Sequence, residues 1–255
     1  MESLWISNYL LIGFAAFFAG MLNALAGGGT FLTLPSLIFI GVPPVAANAT
    51  SASALLPGYL GAAFGYKDTF KQINKMHLTK LLILVTIASI FGAFLLVKTP
   101  NSVFLNLAPW LILIATVLFI LSPYLTNIAT KSLGSNKFIP SASVFIVGGY
   151  GGYFNGGLGI ALLAVLSLNP SISLSQTIAL KSLMSFILTL VSVILFAVSG
   201  LIKWPLALFM MILSTLGGYL GAKLTQRLSK ELTRKAIILI GILMTLFMFH
   251  ASLDA

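Results

Sequence analysis

Lys181 is the one charge set deep inside a long apolar run of this sequence, about seven residues into a stretch that starts near Leu174. A charge at membrane depth costs at least about 2.5–3.5 kcal/mol, so its default reading is functional. At helical spacing Ser173, Thr177, Ser185, Thr189 and Ser192 fall on the same side as Lys181 and form a polar stripe. The chain has only four carboxylates, Glu2, Asp68, Glu231 and Asp254, and none lies in an apolar run to neutralise the ammonium. Two readings fit: an anion bound by Lys181 with Ser185 one turn away, or a structural or water-solvated lysine.

The second set of candidates is glycine. Gly27-Gly28-Gly29 and Gly156-Gly157-Leu158-Gly159 each precede a short apolar run, 30–40 and 160–168. At 1.5 Å per residue these reach about 14–17 Å, roughly half a bilayer core. Non-helical backbone at membrane depth is tolerated only where it is buried in protein or lines a wet cavity. A short helix beginning near Thr30 turns its free N–H groups and the positive end of its dipole toward the glycine turn, which favours an anion. Gly28, Gly29 and Thr30 on one side, and Asn155, Gly157 and Gly159 on the other, are therefore candidate substrate contacts. The competing reading is close helix packing, because small residues let helices touch. For Gly148, Gly149, Gly151, Gly152, Gly217, Gly218 and Gly221 packing is the preferred reading.

The elements that must carry these residues follow from composition. Of 255 residues 59% are hydrophobic and 7% charged, and mean hydropathy is +1.09. A soluble domain carries about a quarter charged residues, so a soluble enzyme or binding domain is excluded. An all-α polytopic membrane protein is expected. Long apolar runs lie at 8–26, 46–65, 80–97, 105–121, 138–156, 174–199, 205–222 and 236–251. The first run has no Lys or Arg before it, so it reads as a membrane segment and not as a signal peptide. The formal charge of +10 sits mostly in short loops, where it signals topology and not nucleic acid. With no cysteine, and with His77 and His250 far apart, no metal site or cofactor is expected.

The second half echoes the first. Aligning Gly27 with Gly157 and Gly29 with Gly159 sets an offset of 130, which places Asn48–Ser51 on Ile178–Lys181; an offset of 129 then places Phe91–Ala93 on Leu220–Ala222. Basic loops in one half match poor loops in the other: 66–80 against 200–204, and 223–235 against 98–104. Under the positive-inside rule the halves cross in opposite directions. The expected organisation is a first membrane repeat over 8–121, a cytoplasmic linker over 122–137 and a second repeat over 138–251, with both termini outside. Inverted repeats with interrupted helices are a signature of secondary transporters. By the offset, Ser51 is the partner of Lys181. Asn48, Ser51, Tyr59 and Tyr66 share a face of their helix, so Asn48 and Ser51 are expected to approach the site from the first half, or else to hydrogen-bond between helices.

The motifs at Gly20–Pro35, Gly41–Ser51 and Gly151–Ile160, with Ala179–Ser182 and Phe196–Trp204, resemble the TauE/SafE sulfite exporter family over about residues 10–250. The resemblance implies an inner-membrane transporter of small sulfur-containing anions, sulfite or organosulfonates such as sulfoacetate, and not an enzyme. Where the family often has N-A-L-K this chain has I-A-L-K with Ile178, and Asn155 stands where a small residue is common; both bear on substrate choice. The expected partners are the anion, the lipid bilayer and a possible second copy of the chain. A passive anion channel on the same scaffold is the first competing function. An intramembrane enzyme is the second, with Lys181 and Ser185 as its only available pair.

Overall fold

The computed structural model describes residues 2–25, 27–66, 68–132, 141–167, 172–225 and 230–253, and every regular element among them is helical. In lipid each apolar run must satisfy its own backbone groups, which helices do. The first half holds α1 (Glu2–Leu25), α2 (Thr30–Phe39), α3 (Pro44–Gly65), a short 3-10 turn (Thr69–Gln72), α4 (Lys75–Lys98) and α5 (Asn101–Ser132). The second holds α6 (Ser141–Tyr153), α7 (Leu158–Leu166), α8 (Leu174–Val198), α9 (Trp204–Thr225) and α10 (Lys230–Leu253). Among the described residues five stretches are long and apolar enough to cross a bilayer: Ile6–Ala24, Leu78–Lys98, Asn101–Leu121, Ser175–Val198 and Trp204–Gly221. The protein is a multi-pass membrane protein. Of the other long runs, α3 has the length of a span but spends its apolarity on Asn48, Thr50, Ser51 and Ser53, all buried in the bundle. The described part of run 138–156 is the 13-residue α6, and Ile238–Leu253 is apolar but shorter than a span.

α5 has 32 residues, about 48 Å at helical rise, longer than a bilayer core of about 30 Å. The segment 122–132 is therefore a helical continuation, while 133–137 of the expected linker lies outside the described residues.

The packing pairs elements symmetrically. α1 lies on α9 as α6 lies on α4, α3 lies on α9 as α8 lies on α4, and α2 meets α10 as α7 meets α5; α3–α8 and α5–α10 pair across the middle. Exchanging the two halves reproduces this list. The central pair runs antiparallel: the Lys203 amide, just past the end of α8, donates to Thr50 Oγ1 near the start of α3 at 3.0 Å, while the last turns of α3 meet the first turns of α8 around Lys181. Small residues make the tight crossings. A Cβ on Gly221 would lie 2.7 Å from the Met21 Cα, and one on Gly152 would lie 2.8 Å from the Ser89 Cα. Gly148, Gly151 and Gly217 are similarly closed in by neighbouring helices, as the packing reading of these glycines expects.

The outer surface is apolar. Phe91, Phe94 and Ile87 on α4, Phe14 and Phe18 on α1, and Ile212 and Leu216 on α9 are exposed. On a soluble protein such a surface would aggregate; here it is the face presented to lipid. The hydroxyls go inward, with Ser51, Ser185 and Thr189 fully buried.

Candidate functional site

Both expected breaks are present. α1 ends before Gly27, whose φ is +85°, and α7 starts after Gly157, whose φ is +71°. Each is the left-handed backbone that glycine adopts without a Cβ clash. α2 then folds back beside α1, so that Leu32, Ser36 and Phe39 line one groove with Leu22, Phe18 and Leu11. The first break is thus a re-entrant hairpin and not a kink in a continuing helix. The two turns meet: a Cβ on Gly27 would lie 3.0 Å from the Gly159 Cα. On Gly157 it would collide with Ala115 and come within 3.7 Å of the Phe31 ring. No side chain caps α2 or α7, so both half-helices bring uncapped, dipole-positive ends to this junction. Gly29 is packed against the Ala19 carbonyl and Leu55, and Gly28 is buried beside Phe31.

Lys181 lines a cavity of about 490 Å³ bounded by α1, α3, α8 and α9. The wall is mostly apolar, and its polar groups are few: Asn23, Tyr59, Lys181, Ser182, Ser214 and Thr215 among them. That is the usual make-up of a small-molecule site. Exposure runs in one direction. Gly61, Ala62, Gly65 and Tyr219 are open, whereas Leu55, Tyr59 and Ser214 are 1–3% exposed. The mouth therefore lies toward the end of α3 and the floor at Tyr59. That end of the bundle carries Lys71, Lys75 and Lys80 after α3, and Lys230, Arg234 and Lys235 at the start of α10. The Gln176 amide near the start of α8 reaches the Gln72 carbonyl at 3.4 Å, and Arg234 reaches the Ile120 carbonyl at 2.6 Å.

No described acidic group faces Lys181. Asp68 pairs with Lys71 and Glu231 with Lys235, each at 2.8 Å and each at the surface. The side chain of Glu2 and all of Asp254 lie outside the described residues. Among the described residues the Lys181 ammonium has no hydrogen-bond or ion-pair partner in the protein.

The remaining sequence candidates separate into groups. Ser51, the repeat partner of Lys181, is bonded to Thr33 Oγ1 on α2 at 2.5 Å and is off the cavity wall. Asn48 donates to the Tyr153 carbonyl at 3.0 Å, tying α3 to the second turn. Both bonds run between elements, the alternative open to these residues in the sequence. Asn155 sits behind the cavity floor, 3.4 Å from the Tyr59 hydroxyl and donating to Thr189 Oγ1 at 3.1 Å. Thr30 Oγ1, Asn48 Oδ1 and Ser185 Oγ are buried without a hydrogen-bond partner among the described residues. Buried polar atoms are paired in the large majority of cases, and these three exceptions all lie on candidate residues. Asn23 escaped the sequence reading, although it is an amide four residues ahead of Gly27 in an otherwise apolar run. Tyr59 was seen only as part of a helix face.

Comparison with known proteins gives one consistent answer. The family described as Sulfite exporter TauE/SafE matches residues 12–248. A protein of Haemophilus influenzae named "Probable membrane transporter protein" is 31% identical over 92% of this chain and 91% of its own length. "Probable membrane transporter protein YfcA" of Escherichia coli is 26% identical over 98% of this chain and 94% of its own. "Probable membrane transporter protein ORF9" of a Sinorhizobium species is 22% identical over 89% and 87%. No solved structure matches the chain significantly.

Proposed function

This chain belongs to the sulfite exporter TauE/SafE family, whose relatives above are named membrane transporters, and we propose that it exports a small sulfur-containing anion across the cytoplasmic membrane as a secondary transporter. Sulfite or an organosulfonate such as sulfoacetate is the substrate class. The observation that carries this reading is Lys181: an ammonium without a carboxylate partner, on the wall of a cavity that ends inside the bundle. Asn23, Tyr59 and Ser182 supply hydrogen-bond donors beside it. The two uncapped half-helix ends at the glycine junction add positive potential deeper in.

In this reading the halves are inverted repeats. The Lys- and Arg-rich end, with loops 66–80, 122–137 and 223–235, faces the cytoplasm, and both termini and loops 98–104 and 200–204 lie outside. The cavity then opens inward, where an exporter collects its substrate, and its basic rim raises the local anion concentration. The scarcity of carboxylates at depth keeps a passive facilitator in view, since coupling through Asp or Glu lacks its usual groups. A facilitator needs a continuous path, whereas this cavity closes on Tyr59.

Purified protein in liposomes loaded with sulfite, thiosulfate, sulfate, sulfoacetate or methanesulfonate tests the reading. Flux of one of these anions, lost in Lys181→Met, supports it. Flux that responds to an imposed proton gradient selects the coupled transporter, and flux indifferent to it selects the facilitator. Equal indifference of the protein to all five anions overturns the substrate class.

A further inference from the structure

The floor of the cavity is latched. The Tyr59 hydroxyl lies 3.4 Å from Oδ1 of Asn23 on α1 and 3.4 Å from Oδ1 of Asn155 in the second turn. Asn155 donates onward to Thr189 Oγ1 on α8 at 3.1 Å. Tyr59 and Thr189 are equivalent at the same offset of 130 that pairs Ser51 with Lys181. Asn155 therefore bridges matching positions on the two antiparallel central helices. On α8, Ser185 stands one turn from Lys181 and one turn from Thr189. It is fully buried, off the cavity wall, and its hydroxyl has no partner among the described residues. The polar face of α8 thus starts in the cavity at Lys181 and continues behind the floor.

We propose that Tyr59 is the inner gate of the anion path. Its ring, held by Asn23 and Asn155, separates the Lys181 cavity from the stretch of α8 that carries Ser185 and Thr189. The latch is weak by construction. O–H···O bonds prefer about 2.7–2.8 Å, and a phenol has one hydrogen for the two carbonyl oxygens facing it. An anion held at Lys181 is a stronger acceptor for that hydrogen than either neutral amide. It draws the hydroxyl away from the asparagines, and the unpartnered Ser185 hydroxyl is the next donor on its way. This mechanism rests on the anion-transport reading of the cavity.

The test uses the absence of native cysteine. Ser185→Cys reports the far side of the gate and Ala62→Cys the open mouth. Each is reacted in lipid nanodiscs with sulfonatoethyl methanethiosulfonate, which reaches both faces. With Tyr59 in place, Ser185→Cys should react at least tenfold more slowly than Ala62→Cys. Tyr59→Phe keeps the ring and removes the latch, so the Ser185→Cys rate should rise at least tenfold while Ala62→Cys stays unchanged. Asn155→Ala should give the same rise. Should Ser185→Cys fail to fold, Ser192→Cys reads the stretch beyond the gate and leaves the Asn155–Thr189 bond in place. An unchanged rate in Tyr59→Phe, equal rates at both positions with Tyr59 present, or both rates rising together each overturn the gate. The liposome assay is scored separately. A gate response without anion flux removes the substrate reading and leaves the gate, and flux without a gate response removes the gate alone.

Discussion

The surroundings of Lys181 and of Ser51 occupy equivalent places in the two halves, and one is hollow while the other is packed. Around Lys181 the wall is Asn23, Tyr59 and Ser214, and water-sized space remains. Around Ser51 the equivalents of Asn23, Leu55 and Tyr59 are Tyr153, Ser185 and Thr189. There Ser51 is bonded to Thr33, Asn48 is tied to the Tyr153 carbonyl, and Phe154 and Phe196, in one core with Ala47 and Ala52 of α3, are no more than 1% exposed. Most helix pairings are alike in both halves, except that α3 meets α5 where α8 and α10 make no comparable contact among the described residues. The side chains around the two centres also differ. Helix pairing alone therefore does not decide where this bundle keeps open space; the side chains at each centre do.

The harshest way to break the comparison is to move the charge. Ser51→Lys buries an unpaired ammonium at a fully enclosed position, at a cost of at least about 3 kcal/mol. We expect it to abolish monodisperse protein in detergent, measured by size-exclusion chromatography. Normal yield would mean that the Ser51 side is as hollow as the Lys181 side.

Next come the crossings. Gly217→Leu on α1–α9 and Gly152→Leu on α4–α6 both force bulk into backbone contacts, and overpacking costs about 1–3 kcal/mol or more. The two thermal midpoints should fall by similar amounts. A large drop in only one would show that the halves are not packed equivalently.

Lys181→Met should leave folding intact and weaken anion binding at least about tenfold, since losing a charge-assisted contact is worth about 1.5–3 kcal/mol. Isothermal titration with the transported anion reads this, and unchanged affinity would make the lysine structural. The smallest effect is expected of Ser51→Ala. It removes the bond to Thr33, worth about 0.5–1.5 kcal/mol of stability, and should leave affinity within about twofold of the parent. A tenfold loss would return Ser51 to the anion's shell.

Much of the architecture was legible along the chain because lipid imposes it. Apolar length and the glycine interruptions at 27–29 and 156–159 survive into the helices and turns. The site was legible in part. Lys181 stood out because an intramembrane charge is expensive, and Thr30, Asn48 and Ser185, each with a buried oxygen unpaired among the described residues, were all flagged by position. The hydrogen-bond partners of Asn48 and Ser51 were not. Periodicity shows that they share a face with Tyr59 and Tyr66 on α3, but not that α2 and the second turn cover one half of that face while the other half lines a cavity.

The sequence by itself determined the membrane class, the broken half-helices, the family and the buried lysine, because each is written in the local hydropathy, spacing or motif of a short segment. Only the tertiary structure decided that Asn23, Tyr59 and Asn155 meet at the cavity floor, and which of two equivalent ends stands open. Those depend on how α1, α3 and α8 rotate against one another. That is a contact property of residues far apart in the chain, settled by packing complementarity that no single segment encodes.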